Sequence, residues 1–271
     1  MGVWRSFQAS ITGTLLLCWA SPVFAGAWTL EPKSRQVIST LIIDRADELF
    51  GSDVEGAENP NFSKFESGIY IEQGLTSRVT LIGQSSFQTV SFNNGVEQVS
   101  FNGLGNSSIG LRRSIYASDK QVLSGEFHFI VNGGGEDVPD GDLGRGDISI
   151  EARGLYGRNI KVGGKPGFVD VQFGLRPRLN NDPLEWRTDI SAGVQLTDKF
   201  MILGQGFYTQ NNGTLRDPLD PVFSTKSLKG QVSVVYWLKP KYGIQLGAFT
   251  TLAGDNVVRE EALIFGLWQR F

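Results

Sequence analysis

The chain contains one histidine, His128, and Glu126 lies two residues before it. An imidazole beside a carboxylate is the arrangement with which many hydrolases activate a serine hydroxyl, so this pair is the first candidate for chemistry. In an extended segment both side chains point to one face, while Phe127 and Phe129 point to the other. A lone histidine cannot build a multi-histidine metal site. We interpret His128 as a member of a polar network, and we predict neither catalytic residues nor an enzyme activity.

A second candidate for chemistry is the acidic stretch at 133–147, GGGEDVPDGDLGRGD. Its acidic residues before the last position are Glu136, Asp137, Asp140 and Asp142. The spacing from Asp140 to Glu151 is that of a calcium-binding loop, but Arg145 occupies the position where such a loop needs glycine. The glycines also lack the lysine and helix that a phosphate-binding loop requires. We predict an acidic loop with no metal and no cofactor; the alternative is that divalent cations bridge it to anionic lipid.

Charged side chains of both signs recur at alternate positions along the chain, which would place them on one face of extended segments. The residues that we expect to line a shared interior are Glu126, His128, Glu151, Arg153, Asp170, Arg176, Arg178, Arg187, Asp189 and Lys229. Arg176, Arg178 and Arg187 lie on neighbouring segments, and with acids opposite them they would form the transverse field of a selectivity zone. The alternative is that these charges pair with one another and close the interior.

About twelve segments with a hydrophobic period of two position these side chains. The segments are 35–49, 64–73, 78–90, 101–116, 121–132, 147–159, 167–180, 186–196, 200–211, 227–238, 242–253 and 258–271. Most exceed the roughly 9–11 residues with which a tilted strand crosses a membrane. Short connections alternate with longer ones, as turns and loops do on opposite sides of a membrane.

The predicted fold is therefore all-β, a transmembrane antiparallel up-and-down barrel of about twelve strands. Its apolar rows would face lipid and its polar rows the interior, because charge on the lipid face is destabilising. Aromatic residues near the strand ends would form girdles at the two interfaces. For one interface they are Tyr116, Phe168, Phe200, Trp237, Tyr242 and Phe271, and for the other Phe50, Phe92, Phe101, Trp186 and Tyr208. The alternative is a β-sandwich whose core contains scattered aromatics.

The last ten residues, ALIFGLWQRF, place Leu263, Phe265 and Leu267 at alternate positions and end on Phe271. A chain that stops inside an apolar strand needs another strand to cover its edge. The segment resembles the C-terminal signal of Gram-negative outer-membrane β-barrel proteins, and departs from it at Gln269. This resemblance implies that Leu263, Phe265, Leu267 and Phe271 form a membrane-insertion signal for the barrel-assembly machinery.

Residues 1–25 have the features of a secretory signal peptide. Arg5 is the basic residue, and 11–20 is an apolar core too short to span a membrane. Val23-Phe24-Ala25 is a small-residue cleavage site, with Ala25-Gly26-Ala27 as a near alternative. We therefore predict two regions, a signal peptide at 1–25 and an outer-membrane barrel at 26–271. Cys18, the only cysteine, would leave with the signal peptide, which excludes disulfides in the mature chain.

Composition agrees with a barrel and excludes some partners. The full chain is 40% hydrophobic and 20% charged, with 34 glycines. A chain this polar can still lie in a membrane, because each strand of a barrel needs only one apolar face. Loss of residues 1–25 leaves 24 basic against 28 acidic side chains, a net charge of −4. We predict no nucleic-acid partner, since nothing in the chain forms a basic patch.

The motifs AWTLEPK at 27–33 and GLTSR at 74–78 are similar to those of a proteobacterial barrel family encoded with autoaggregation and exopolysaccharide genes, the Xag type. The resemblance implies passive export, or surface association, of an exopolysaccharide. Two other functions stay open, a narrow diffusion channel for small polar or sugar-acid solutes and a non-conducting adhesion or scaffold barrel. A hydrolase like the outer-membrane phospholipases, which would need His128, is the fourth.

These interpretations share a location and a set of partners. We expect the protein in the outer membrane of a Gram-negative cell after Sec-type export. Its partners would be outer-membrane lipid, lipopolysaccharide and the barrel-assembly machinery, together with a polysaccharide or a small polar solute.

Overall fold

The structure, a computed structural model, describes residues 26–51, 60–93, 95, 98–131, 133, 148–177, 184–211, 214–217, 220–222 and 224–271. The predicted signal peptide at 1–25, the acidic residues Glu136 to Asp142 and Arg178 lie outside the described residues. Among the described residues, no helix is long and apolar enough to cross a membrane.

Seventeen strands lie in the described ranges. They are β1 (Arg35–Ala46), β2 (Leu49–Phe50), β3 (Asn61–Thr76), β4 (Val79–Asn93), β5 (Gln98–Leu104), β6 (Ser107–Ala117), β7 (Gln121–Val131), β8 (Ile148–Val162), β9 (Lys165–Arg176), β10 (Glu185–Gln195), β11 (Phe200–Asn211), β12 (Thr214–Asp217), β13 (Asp220–Val222), β14 (Thr225–Lys239), β15 (Tyr242–Asp255), β16 (Val257–Val258) and β17 (Glu261–Arg270).

Thirteen of these strands form one antiparallel sheet that closes on itself. β1 pairs with β3 on one side and with β17 on the other, so the first and last long strands complete the ring. β5 and β6 pair with successive halves of β4 and together occupy one position in the wall. The fold is thus a twelve-position, closed antiparallel barrel, as predicted. A β-sandwich is excluded, because its two sheets would not join into one ring.

The wall alternates apolar outside and polar or apolar inside, because successive side chains of a strand point to opposite faces. On β17, Leu263, Phe265 and Leu267 are 52, 43 and 41% exposed, whereas Ile264 and Trp268, at the alternate positions, are buried. On β7, Leu123, Phe127 and Phe129 are likewise exposed. An exterior of this kind matches the apolar band that outer-membrane barrels present to lipid. The predicted outer-membrane location follows from the closed barrel together with this exterior.

Short connections lie at the end of the barrel where β1 begins and β17 ends. Three of them are two residues long, among them Gly163-Gly164 between β8 and β9, where both glycines have positive φ angles of 56° and 78°. Such a two-residue turn matches the twist of the flanking strands. β8 and β9 are consequently longer at this end than predicted, and Pro166 lies within β9. Arg113, an exposed outward residue, pairs with Val79 at the start of β4, close to this end.

One wall position is interrupted at Gly105 and Asn106, between β5 and β6. The Gly105 nitrogen donates a hydrogen bond to the Ser86 carbonyl at 2.9 Å. A Cβ atom on Gly105 would lie 2.4 Å from the Ser86 hydroxyl, so only glycine allows this close approach. The predicted continuous strand at 101–116 is therefore wrong, because this contact interrupts it and divides it into β5 and β6.

Four of the aromatic residues predicted for the interfaces point into the barrel instead. Phe168 and Trp237 are 5 and 6% exposed, and Phe92 is fully buried, while Phe101 packs against the same interior cluster as Phe92. Their positions in the alternation set the direction, and aromatic rings fit an interior as well as an interface. Phe200, Tyr116, Tyr242 and Phe271 do lie on the exposed outer face.

Candidate functional site

Residues 26–34 form a strap inside the barrel rather than a strand of its wall. Lys33 donates from its backbone nitrogen to the Gly74 carbonyl at 2.9 Å, near the start of β1. At the other end Ala27 donates to the Asp170 carboxylate on β9 at 2.8 Å. β9 is six wall positions from β1 in either direction around the ring. The strap therefore crosses the full width of the interior.

The strap is held along its path by polar contacts with β4 and β7, which lie on the same side of it. The Leu30 nitrogen donates to the Thr80 hydroxyl at 2.8 Å, and the Ser124 hydroxyl donates to the Ala27 carbonyl at 2.6 Å. Because Ala27 is fully buried, its bond with Ser124 is shielded from water and orients the strap strongly.

Trp28 anchors the middle of the strap in an apolar cluster within the barrel. Its ring meets Phe168 edge to face, with centroids 6.2 Å apart. A Cβ atom on Gly157 of β8 would lie 2.5 Å from the Trp28 ring, so the wall has a glycine where the indole presses against it. Ile38, Met201, Leu203, Val235, Trp237 and Trp268 complete the buried cluster. The half of the interior nearest the short turns is thus filled.

Arg112 connects the strap to the wall. Its guanidinium donates to Glu126 and Glu72, both at 2.7 Å, and to the Trp28 carbonyl at 3.1 Å. The arginine is 2% exposed, and Glu72 is fully buried. Buried charges need partners of this kind, because desolvation of an unpaired charge is costly.

His128 lies in the same network. Its Nε2 is 2.6 Å from Glu126, and its Nδ1 is 3.2 Å from the Ser108 hydroxyl. The order hydroxyl, imidazole, carboxylate is that of a catalytic relay, but Arg112 also binds this carboxylate and the ring fills the space beside Gly110. The geometry is that of a packed network inside the wall. Among the described residues, no group of three or more His, Cys, Asp or Glu side chains is arranged to hold a metal ion.

Three arginines and three carboxylates form a ladder across β8, β9 and β10. Its members are Glu151, Arg153, Arg176, Glu185, Arg187 and Asp189. Arg153 contacts both Glu151 and Asp189, and Arg176 binds Glu151 at 2.8 Å. Arg187 binds Glu185 at 2.5 Å. Each charge thus has an opposite charge beside it. The charges of this region pair with one another and at the same time line the interior.

A second charge cluster lies on the other side of the interior, where it connects β1, β3 and β14 with the residue before β17. Glu260, which is 1% exposed, contacts Lys64 at 3.2 Å and also Lys229. Lys64 lies 3.6 Å from Asp44 on β1. Lys229 was among the predicted interior residues, whereas Lys64 and Asp44 were missed. Both lie on the inward face of their strands, β1 and β3. Following the alternation of inward and outward residues along the whole of each strand would have identified them.

A cavity of about 330 Å³ lies between the ladder and the Lys64–Glu260 cluster. Its lining includes Lys64, Glu66, Arg187, Phe207, Gln231 and Phe249. Asp189, Phe207 and Lys229 are direct neighbours on β10, β11 and β14, so one row of the wall presents an acid, an aromatic ring and a base side by side. The volume is at the lower end of the roughly 300–1,000 Å³ of small-molecule pockets.

Comparison with models of known protein families gives no match. No curated protein is significantly similar in sequence.

Solved structures share the fold. The chain is similar to an outer membrane channel from Pseudomonas putida F1, with a TM-score of 0.68 and 12% identity over 92% of this chain and 100% of that one. It is also similar to the translocator domain of the autotransporter NalP from Neisseria meningitidis (TM-score 0.57, 11% identity, 89% of this chain and 90% of that one). The KdgM porin gives 0.54 at 7% identity over 86% and 99%. These likenesses establish the outer-membrane β-barrel fold.

Proposed function

We propose that the protein is a passive channel of the Gram-negative outer membrane for small polar solutes. The observation that supports this most directly is the polar cavity inside the barrel, with charged and amide side chains around it. A barrel with a purely structural role would be more stable with apolar side chains packed in its interior, because buried ion pairs contribute little net stability. That channels and porins share the fold agrees with the proposal.

The solutes best suited to this cavity are neutral and polyhydroxylated, such as short saccharides. The cations that line it already contact carboxylates, as Lys64 and Lys229 do with Glu260, so the cavity offers little excess charge to a free ion. Phe207 and Phe249 offer apolar ring faces, and Gln231 offers an amide. Hydrogen bonds from hydroxyls to charged groups are stronger than those between neutral groups.

The test is conductance of the refolded mature protein in planar bilayers, together with swelling of liposomes in short saccharides. We expect Arg187→Ala, which removes a side chain at the cavity, to change the conductance and the swelling rate. Lys161→Ala, on the exposed end of β8, is the matched control and should change neither. Absence of conductance and swelling, both in the intact protein and in one without residues 26–33, would refute the channel.

A second candidate is a closed surface barrel associated with an exopolysaccharide. The strap favours it, because a polymer could not pass the filled half of the interior unless residues 26–34 left it. Association at the opposite mouth requires no such movement. This function predicts retention of exopolysaccharide by cells that carry the protein, with no conductance in bilayers.

A further inference from the structure

Asp170 on β9 is a buried carboxylate with no basic side chain within salt-bridge distance in the described parts of the chain. It is 1% exposed. Its Oδ2 accepts a hydrogen bond from the Ala27 nitrogen at 2.8 Å and its Oδ1 from the Gln172 amide at 2.7 Å, and both donors are neutral. In contrast, Glu151 and Glu260 each contact two basic side chains. A buried charge is costly when its only partners are neutral, so a cation beside Asp170 would stabilise this part of the barrel.

The residue that lies against this carboxylate is Gly26, the first described residue of the strap. A Cβ atom on Gly26 would be 2.8 to 3.0 Å from the three atoms of the Asp170 carboxyl group. The nitrogen of Gly26 is bonded to the same Cα atom and is thus two bonds from that Cβ position. Ala27 beside it is fully buried, which means that water cannot easily replace a missing partner.

We propose that removal of residues 1–25 creates the cation that Asp170 lacks. Hydrolysis adds one water across the Ala25–Gly26 amide bond: Ala25 departs as a carboxylate, and Gly26 remains as an amine that is protonated. An unperturbed α-amino group has a pKa of roughly 7.7–8.0, so it is mostly cationic at neutral pH. The new ammonium pairs with Asp170 and tethers the strap across the interior. This inference rests on the predicted cleavage after Ala25 and is independent of the solute that the barrel passes.

The pairing couples processing to closure of the barrel. Before cleavage the nitrogen of Gly26 is a neutral amide, and Asp170 has only weak donors. After cleavage the same atom carries charge and three hydrogen-bond donors, and a buried charge pair holds the end of the strap. Position 26 also favours glycine in its own right, because a Cβ atom there would lie within 3.0 Å of Asp170 and its φ angle of 138° is rare for other residues.

Two measurements on protein isolated from outer membranes test the proposal. Intact mass should show a chain that begins at Gly26. Amide hydrogen exchange of the peptide 26–34 should be slow in the wild type and faster by about tenfold or more in Asp170→Asn, since loss of one partner of a buried ion pair is strongly destabilising. Asp198→Asn, in the exposed turn between β10 and β11, is the control and should leave this exchange unchanged.

A third variant separates the ammonium from the Ala27 hydrogen bond. A refolded mature chain with one extra alanine before Gly26 keeps Asp170 and the Ala27 nitrogen but moves the charge away. We expect its peptide 26–34 to exchange as fast as in Asp170→Asn. The proposal fails if the chain begins at another residue, if Asp170→Asn exchanges like the wild type, or if the extended chain does.

Discussion

Arg112 joins the wall to the strap, because it binds two carboxylates and the Trp28 carbonyl at once. Arg112→Ala would leave Glu72 and Glu126 buried without their cation. We expect the free energy of unfolding to fall by about 3–5 kcal/mol, the range for loss of one partner of a buried pair. Urea unfolding in lipid vesicles, followed by tryptophan fluorescence, measures this.

The next residue along the chain supplies the control for that experiment. Arg113 points outward and is exposed, so Arg113→Ala should leave the unfolding midpoint close to that of the wild type. Equal effects of the two substitutions would mean that the Arg112 contacts do not stabilise the barrel.

Trp28 is the residue on which closure of the interior depends. Replacement by alanine removes the ring that packs on Phe168 and against Gly157, and large aromatic deletions from a packed site cost roughly 3–5 kcal/mol. We expect Trp28→Ala to raise the single-channel conductance, because the strap loses its anchor. Trp186→Ala, at an outward ring that is 38% exposed, should not change it. An unchanged conductance in Trp28→Ala would show that the strap is not the constriction.

Individual side chains could be predicted where they belong to a long alternating run. His128, Glu126 and Glu151 lie on polar faces that the sequence makes clear, and the contacts between them needed only the register of neighbouring strands. Phe168 and Trp237 were misplaced because an aromatic ring is compatible with lipid interface and interior alike. Here only the position relative to charged neighbours, such as Asp170 two residues after Phe168, decides the direction.

At the scale of elements, strands were predictable and the strap was not. A wall strand repeats its pattern over ten or more residues, whereas residues 26–34 form single contacts with four or more strands and have no period. The break at Gly105 was missed for a related reason, since it depends on a contact with Ser86 in another strand. A feature that depends on a contact with a distant strand leaves no pattern in the sequence of its own segment.

The last strand allows a separate test of assembly and stability. Phe271 is 57% exposed, and its backbone exchanges two hydrogen bonds with Arg35, which close the ring at the end of β1. Phe271→Ala keeps both bonds and removes only the exposed ring. We expect refolding into detergent to be unaffected, and the amount of folded barrel in the outer membrane of cells to decrease several-fold. Heat-modifiable migration on gels measures both.

Phe200 provides the matched control for this prediction, because its ring is also exposed at the end of a strand. Phe200→Ala should assemble like the wild type in cells. If Phe271→Ala also assembles normally, the proposal that the C-terminal residues are a signal for the assembly machinery is wrong.

At the scale of the whole molecule, the barrel combines an interior filled on one side with a polar cavity on the other. The filled half follows from the strap and the apolar cluster around Trp28. The cavity follows from charges that pair within one strand, as Arg187 and Glu185 do, or between neighbouring strands, as Arg176 and Glu151 do, and so stay against the wall. The fold class could be predicted because many strands each show a weak alternation of apolar and polar residues. The size of the interior depends instead on which inward side chains of opposite strands face each other.

The balance of charge around the cavity sets the ion selectivity of the whole barrel. Glu260 and Asp44 together balance the charges of Lys64 and Lys229, so we expect the wild type to discriminate little between K⁺ and Cl⁻. Glu260→Gln leaves both lysines with one carboxylate fewer, and the excess positive charge should favour anions. The reversal potential in a KCl gradient across a planar bilayer measures the shift. Glu261→Gln, the outward and exposed neighbour, should not shift it, because lipid-side charge is remote from the pore. A shift towards cations, or equal shifts in both variants, would mean that ions do not pass the Lys64–Glu260 cluster.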